Sequence, residues 1–141
     1  MALPAVEFAF LIDDNEIDLF VQKRFIEINK FAQRVLTYSS PVLAVTALMD
    51  AKESSVPQLI FLDLNMPEMD GFEFLEHFKR FPKEVKDRVK VVVVTSSSSL
   101  LDKERALSFE SVIHFMSKPL SEKDLDTIRE KISVQAARAR R

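Results

Sequence analysis

The chain has no cysteine and a single glycine, Gly71. Without thiols it can form no disulfide, no thiolate zinc site and no cysteine nucleophile. With one glycine it cannot carry a dinucleotide fingerprint, a Walker loop or a nucleophile elbow. Each of those needs several glycines where backbone must approach a phosphate or turn sharply. Histidine is almost as scarce: His77 and His114 are the two present, too few for a histidine-rich metal site. An excess of one charge is missing as well. Twenty basic against 22 acidic residues leave a formal net charge of -2, so no global field collects nucleic acid or an anionic membrane. Purely apolar runs, such as residues 59–62 and 91–94, fall far short of the roughly 18 residues a membrane span needs. Residues 1–10 lack a basic stretch and carry Glu7 within their apolar part, unlike a secretory signal. A cytoplasmic location is expected, with no nucleic-acid partner and no membrane insertion.

What is present is a globular composition: 141 residues, 47% hydrophobic and 30% charged, the size of one domain with one core. Apolar runs at residues 6–12, 34–38, 59–62, 91–94 and 112–116 predict strands, continuous rather than alternating in the β-branched fourth, as in a sheet covered on both faces. Helical patterns lie between them. Ile17, Phe20, Val21, Phe25 and Ile28 recur at three- and four-residue spacing, forming one apolar stripe of the kind that faces a core. Ser40 and Pro41 offer a cap and a first helical position for a second helix, to Met49 or Lys52. Phe72, Leu75, His77 and Phe78 mark a third helix, and residues 83–88 read as a charged connector. Residues 100–109 suggest a fourth helix and 121–140 a fifth, with Leu125, Ile128 and Ile132 inward. Ser121 and Asp124 make a box-like start to that last helix.

Five strand-then-helix units imply parallel strands and right-handed crossovers. The expected fold is α/β, flavodoxin-like and doubly wound: a five-stranded parallel sheet, order 2-1-3-4-5, with five helices. In that order the carboxyl ends of the first and third strands flank the ligand crevice. Asp13, Asp14 and Asp63 stand there. Like charges so close raise one another's pKa and oppose folding unless a cation intervenes, and carboxylate oxygens select a hard ion such as Mg²⁺. Thr95, ending the fourth strand, and Lys118, just past the fifth, should reach the same rim with a hydroxyl and a positive charge suited to a phosphoryl group.

These segments resemble the receiver domain of two-component response regulators. The resemblance is carried by residues 11–16 (LIDDNE), 61–72 (FLDLNMPEMDGF), 94–96 (VTS) and 117–120 (SKPL), each at the end of an expected strand and all in order. It runs over about residues 6–135, within a single domain of 1–141 that ends in a short basic helix end. The resemblance implies that Asp63 is the phosphoacceptor, taking a phosphoryl group from a phosphohistidine on a sensor histidine kinase or histidine phosphotransfer protein. It implies Mg²⁺ held by Asp13, Asp14, Asp63 and the backbone carbonyl of Asn65, with Thr95 and Lys118 on the phosphoryl oxygens. It further implies a cis Lys118–Pro119 bond, and a switch formed by Thr95 and Phe115, the latter often tyrosine in the family. Ser96 stands where a small residue is usual. No output domain follows, so a stand-alone regulator is expected, not an enzyme, and a monomer or weak homodimer. Its downstream protein target, unnamed by the sequence, would dock on Leu100, Leu101, Phe109, His114 and the last helix.

Plainer readings exist for each residue alone. Asp14 or Asn15 is an ordinary helix cap, Asp63 with Asn65 and Pro67 ordinary turn chemistry, Lys118 a solvated lysine and Phe115 a core residue. Arg138, Arg140 and Arg141 read as a basic helix end favourable to the dipole. The conjunction outweighs them. A haloacid-dehalogenase-like phosphatase also uses a strand-end Asp, but needs a second Asp two residues on, where this chain has Asn65. A flavin carrier would need a phosphate loop after the first strand, where Asp13, Asp14 and Glu16 repel phosphate. A phosphorylation-independent adaptor of the same fold is the remaining rival, and it would be expected to have lost one of the acids, the Thr or the Lys.

Overall fold

The computed structural model describes residues 4–52 and 55–139, with side chains to residue 135. The order of elements is β1 (Val6–Ile12), α1 (Glu16–Ile28), β2 (Ala32–Tyr38), α2 (Pro41–Met49), β3 (Leu59–Leu62), α3 (Gly71–Phe78), α4 (Lys83–Arg88), β4 (Lys90–Thr95), α5 (Leu100–Leu107), β5 (Val112–Ser117) and α6 (Glu122–Ala139). All strand pairs are parallel, and the five-stranded sheet runs β2-β1-β3-β4-β5. This is the doubly wound, flavodoxin-like arrangement, and it carries six helices where five were expected. The addition is α4, the segment read as a charged connector. None of its residues is buried, so no apolar row announces it. Val85 alone packs inward, partly buried against the core.

The sheet divides the core into two apolar layers. On one side Phe8, Phe10, Ile60 and Val93 meet α2, α3 and α5 through Leu48, Phe74, Phe78 and Ala106. On the other, Ala9, Leu11, Phe61 and Val92 meet α1 and α6 through Leu19, Ile26, Leu125 and Ile128. β3 is buried along its whole length and β4 at every residue but its first, as expected when helices cover both faces of a parallel sheet. Each fully buried Leu, Val or Phe there contributes about 1.5–3 kcal/mol relative to exposure.

Local signals explain most helix starts. Asn15 accepts from the backbone N–H groups of Ile17 and Asp18, Ser40 from Leu43, Asp70 from Glu73 and Ser99 from Asp102. Each satisfies donors that the first turn leaves unpaired. Ser121 accepts from the Asp124 N–H at 3.1 Å and donates to its carboxylate at 2.7 Å. Leu125 and Ile128 are buried and Ile132 packs partly buried beside them, as the spacing predicts. The expected basic helix end lies outside the described residues, as positions 140 and 141 and the Arg138 side chain.

α1 departs from expectation in its rotation. Its buried residues are Leu19, Gln22 and Ile26, while Ile17, Phe20, Val21 and Ile28 are 74%, 67%, 53% and 68% exposed. Of the longer apolar row only Phe25 packs, partly buried, against the core; the rest faces outward. The inward row escapes a hydrophobicity count because one member, Gln22, is polar, and its amide is satisfied inside by the Asp13 carboxylate.

Candidate phosphoryl and metal site

The sheet register assembles the site. Ile12 pairs with Leu62 across β1 and β3, and Leu62 with Val93 across β3 and β4, so the residues that follow these strands emerge at one edge. Backbone hydrogen bonds carry the ladder beyond the strands: Asp13 N–H donates to the Tyr38 carbonyl at 3.1 Å and Asp63 N–H to the Ile12 carbonyl at 3.0 Å. Lys118 N–H donates to the Thr95 carbonyl at 2.9 Å, which ties the loop after β5 to the end of β4. The Lys118–Pro119 peptide is cis.

Asp13, Asp14 and Asp63 come together, with one ligand oxygen from each within 4.8 Å of the others. Asp13 and Asp63 are buried, Asp14 exposed. Asp13 is heavily engaged. It accepts from the Asn15 N–H at 2.9 Å and from Gln22 Nε2 at 3.3 Å, and pairs with Lys118 Nζ at 2.7 Å. Asp63 is the opposite case. Its Oδ1 is buried with no hydrogen-bond partner, and its nearest cation, Lys118 Nζ, stands 3.7 Å from Oδ2. Burial above all, then the neighbouring Asp13 charge, pushes the Asp63 carboxyl up to about 6, against the opposing pull of Lys118 and the Asn65 backbone. A buried carboxylate with an unpaired oxygen, next to two more acids, is what a hard divalent cation would satisfy, so these residues fit Mg²⁺.

Thr95 is fully buried at the end of β4, and its Oγ1 accepts from the Ser97 N–H at 3.2 Å and Asn65 Nδ2 at 3.5 Å. Asn65 thus bridges the loop after β3 to the end of β4. Phe115 is half-buried against the layer that contains α2, α3 and α5. The sole glycine sits where the chain turns into α3: a Cβ on Gly71 would lie 2.6 Å from the Asp63 carbonyl oxygen and 2.7 Å from Leu64 Cα. That close approach, and not an unusual backbone angle, is what excludes a side chain there.

Two residues with direct contacts in the site were not anticipated from sequence. Asp18 Oδ2 lies 2.7 Å from Lys118 Nζ, and Gln22 holds Asp13. Their four-residue spacing, one turn apart on one helix face, is the signal that could have found them. The expected partner surface needs correction in turn. Leu100 and Leu101 are exposed, but Phe109 is only 7% exposed, sealed into the core beneath α5 and unavailable to a partner. His114 is turned towards α6: Lys131 Nζ lies 2.9 Å from Nδ1 and Asp124 Oδ1 3.7 Å from Nε2. Burial, followed by the Lys131 charge, holds its pKa below the usual histidine value. His77 is on an exposed helix face.

The model for the response regulator receiver domain matches residues 9–130. The chain is 34% identical over 124 residues to the probable methanogenesis regulatory protein FilR2 of Methanothrix harundinacea (strain 6Ac), spanning 86% of this chain and 78% of that protein. It superposes on a two-component response regulator from Cytophaga hutchinsonii with a TM-score of 0.81 at 26% identity, covering 90% of this chain and 96% of the other. The phosphorylated cyanobacterial phytochrome response regulator RcpA gives 0.69 at 27% identity, covering 89% and 90%. The family match runs from within β1 to within α6, and the chain belongs to the response regulator receiver domains, the phosphoacceptor modules of two-component signalling.

Proposed function

We propose that Asp63 is the phosphoacceptor. One of its carboxylate oxygens attacks the phosphorus of a phosphohistidine on a sensor kinase or histidine phosphotransfer protein. The P–N bond breaks, the imidazole leaves with the electron pair, and an aspartyl phosphate forms. A carboxylate is a weak nucleophile that needs no base, so the work is alignment and charge neutralisation. The observation that supports this most is the Asp63 carboxylate itself: buried at a strand end, with an unpaired oxygen, among the acids that fit a metal and within 3.7 Å of a lysine.

Asp13, Asp14, Asp63 and the Asn65 carbonyl would hold Mg²⁺, which when bound offsets the mutual repulsion of the acids and of the incoming phosphoryl oxygens. Lys118 and Thr95 would take the remaining phosphoryl oxygens. Thr95 would donate its hydroxyl hydrogen to a phosphoryl oxygen while its oxygen still accepts from Ser97 and Asn65, so a shift of the hydroxyl towards the phosphoryl group would carry the start of the β4–α5 loop with it. Phe115 lacks a hydroxyl, so it would follow by changing rotamer without gaining a hydrogen bond. Leu100 and Leu101 on α5 are the exposed apolar residues nearest that loop in sequence, and we place target docking there. The role is regulatory and cytoplasmic, in a single domain: no acid stands at Asn65 to drive repeated hydrolysis. Among the described residues no helix is long and apolar enough to cross a membrane.

The test is incubation with acetyl phosphate and Mg²⁺, read by intact mass. One labile phosphoryl increment that needs Mg²⁺ and disappears in Asp63→Asn is expected. No increment from a folded chain would favour a constitutive adaptor.

The outward row of α1 gives a second expectation. Phe20 is 67% exposed on the helix that carries Asp18 beside Lys118, so a histidine-bearing donor protein would seat on it. Phe20→Asp should slow labelling by a phosphohistidine donor at least about tenfold, as for an interface anchor, and leave labelling by acetyl phosphate unchanged. Equal slowing with both donors would mean that the row does not contact the donor.

A further inference from the structure

Lys118 is shared. Its Nζ lies 2.7 Å from Asp13 Oδ2 and 2.7 Å from Asp18 Oδ2, but 3.7 Å from Asp63 Oδ2. The cation best placed to assist at Asp63 therefore spends its close contacts elsewhere. Asp13 is fixed by its other bonds and belongs to the acid cluster. Asp18 does not: it projects from α1, its side chain is 37% exposed, and its carboxylate is bonded to Lys118. A cleft of about 250 Å³ between α1 and the loop after β5 is lined in part by Asp18, Val21, Phe25 and Lys118, so the pair borders open space on its outer side.

We propose that Asp18 is a positioning residue that holds Lys118 away from Asp63 in the unphosphorylated protein. The proposal rests on Asp63 being the phosphoacceptor. Converting the Asp63 carboxylate to an acyl phosphate takes its charge from −1 to about −2 and adds three acceptor oxygens that reach further out, enough to draw Lys118 across the gap at the cost of the Asp18 contact. Asp18 thus acts as a brake: energy that would stabilise the developing acyl phosphate is spent on separating an existing ion pair. Removing Asp18 leaves Lys118 free to turn to Asp63 before the reaction. In the step concerned, an Asp63 oxygen bonds to phosphorus as the donor's P–O bond breaks and acetate leaves with the electron pair. Asp18 takes no part in bond making.

The experiment compares the rate of labelling by acetyl phosphate and Mg²⁺ in the wild type, Asp18→Asn, Asp18→Glu and Glu16→Gln. Asp18→Asn should label about two- to fivefold faster, the range expected for loss of a partly exposed ion pair. Asp18→Glu, which can still reach the lysine, should return to near the wild-type rate. Glu16→Gln removes the same unit of charge from the same helix without touching Lys118, and should change the rate by less than about twofold. A merely structural Asp18 would give slower labelling, never faster. Faster labelling confined to Asp18→Asn supports the brake. An unchanged or slower rate in Asp18→Asn, or an equal gain in Glu16→Gln, overturns it while the phosphoacceptor reading stands. No labelling of the wild type overturns that reading and the brake with it.

Discussion

In metal-free buffer at pH 7, Asp63→Asn should be more stable than the wild type by about 3 kcal/mol. The Asp63 carboxyl is raised from 3.8 to about 6, first by burial and then by Asp13. Because the folded pKa lies above the unfolded one, the fold favours the protonated form. That advantage is complete below about pH 4 and is lost as pH rises through about 6, each pKa unit amounting to about 1.4 kcal/mol. Above that range the wild type keeps a buried anion beside Asp13 and Asp14, and the amide removes it at nearly constant shape. Urea denaturation of both proteins from pH 4 to pH 7.5 with chelator checks this. The stability difference should be near zero at the acid end and grow through the window. Added Mg²⁺ should shrink it, since the ion stabilises the form that keeps all three acids. A variant less stable than wild type at pH 7 would mean that the attraction between Asp63 and Lys118 outweighs the burial and the repulsion.

The second large effect is expected from one methyl group. Gly71→Ala would set a Cβ 2.6 Å from the Asp63 carbonyl oxygen, 2.7 Å from Leu64 Cα and 2.8 Å from Leu64 Cδ2. Two of these neighbours are backbone, and Gly71 N–H is itself bonded to the Leu64 carbonyl at 2.9 Å, so relief requires moving the segment that carries Asp63. A loss of about 2–4 kcal/mol is expected, at or beyond the upper end of ordinary overpacking. Labelling of Asp63 should slow in the protein that remains folded. Asp70→Ala is the companion measurement: it deletes the cap that Glu73 N–H donates to, which costs only about 1 kcal/mol. If the two variants lost equal stability, the clash would be relieved by a shift of α3 and the site would be spared.

The sheet was legible because its inner strands have to be. Residues 59–62 and 91–94 are apolar without interruption, and burial on both faces leaves no alternation to misread. Asp63 and Thr95 were found for the same reason: each ends or follows such a run, and parallel register sets strand ends side by side. α4 was missed since a six-residue charged segment with no buried residue has no periodicity to detect. The rotation of α1 was misjudged on physical grounds that a count of apolar residues cannot weigh. Five large apolar residues lie at helical spacing, yet Leu19, Gln22 and Ile26 are the row inside, where the Gln22 amide donates to the buried Asp13 carboxylate. Phe109 was placed outside by family likeness alone, although its chemistry argues for burial. Asp18 could not be seen as a partner of Lys118, 100 residues away, without the turn of α1 about its axis.

The partition of the core has a consequence for the order of events. α1 and α6 lie behind one face of the sheet, and α2, α3 and α5 behind the other, with the site on the edge common to both. A donor seated on Phe20 and a target seated on Leu101 would stand on opposite sides of a wall. Seated so, neither would have to depart before the other arrives. Loading and readout could then overlap in one three-membered assembly, and the time each visitor stays could be tuned without altering the stay of the other.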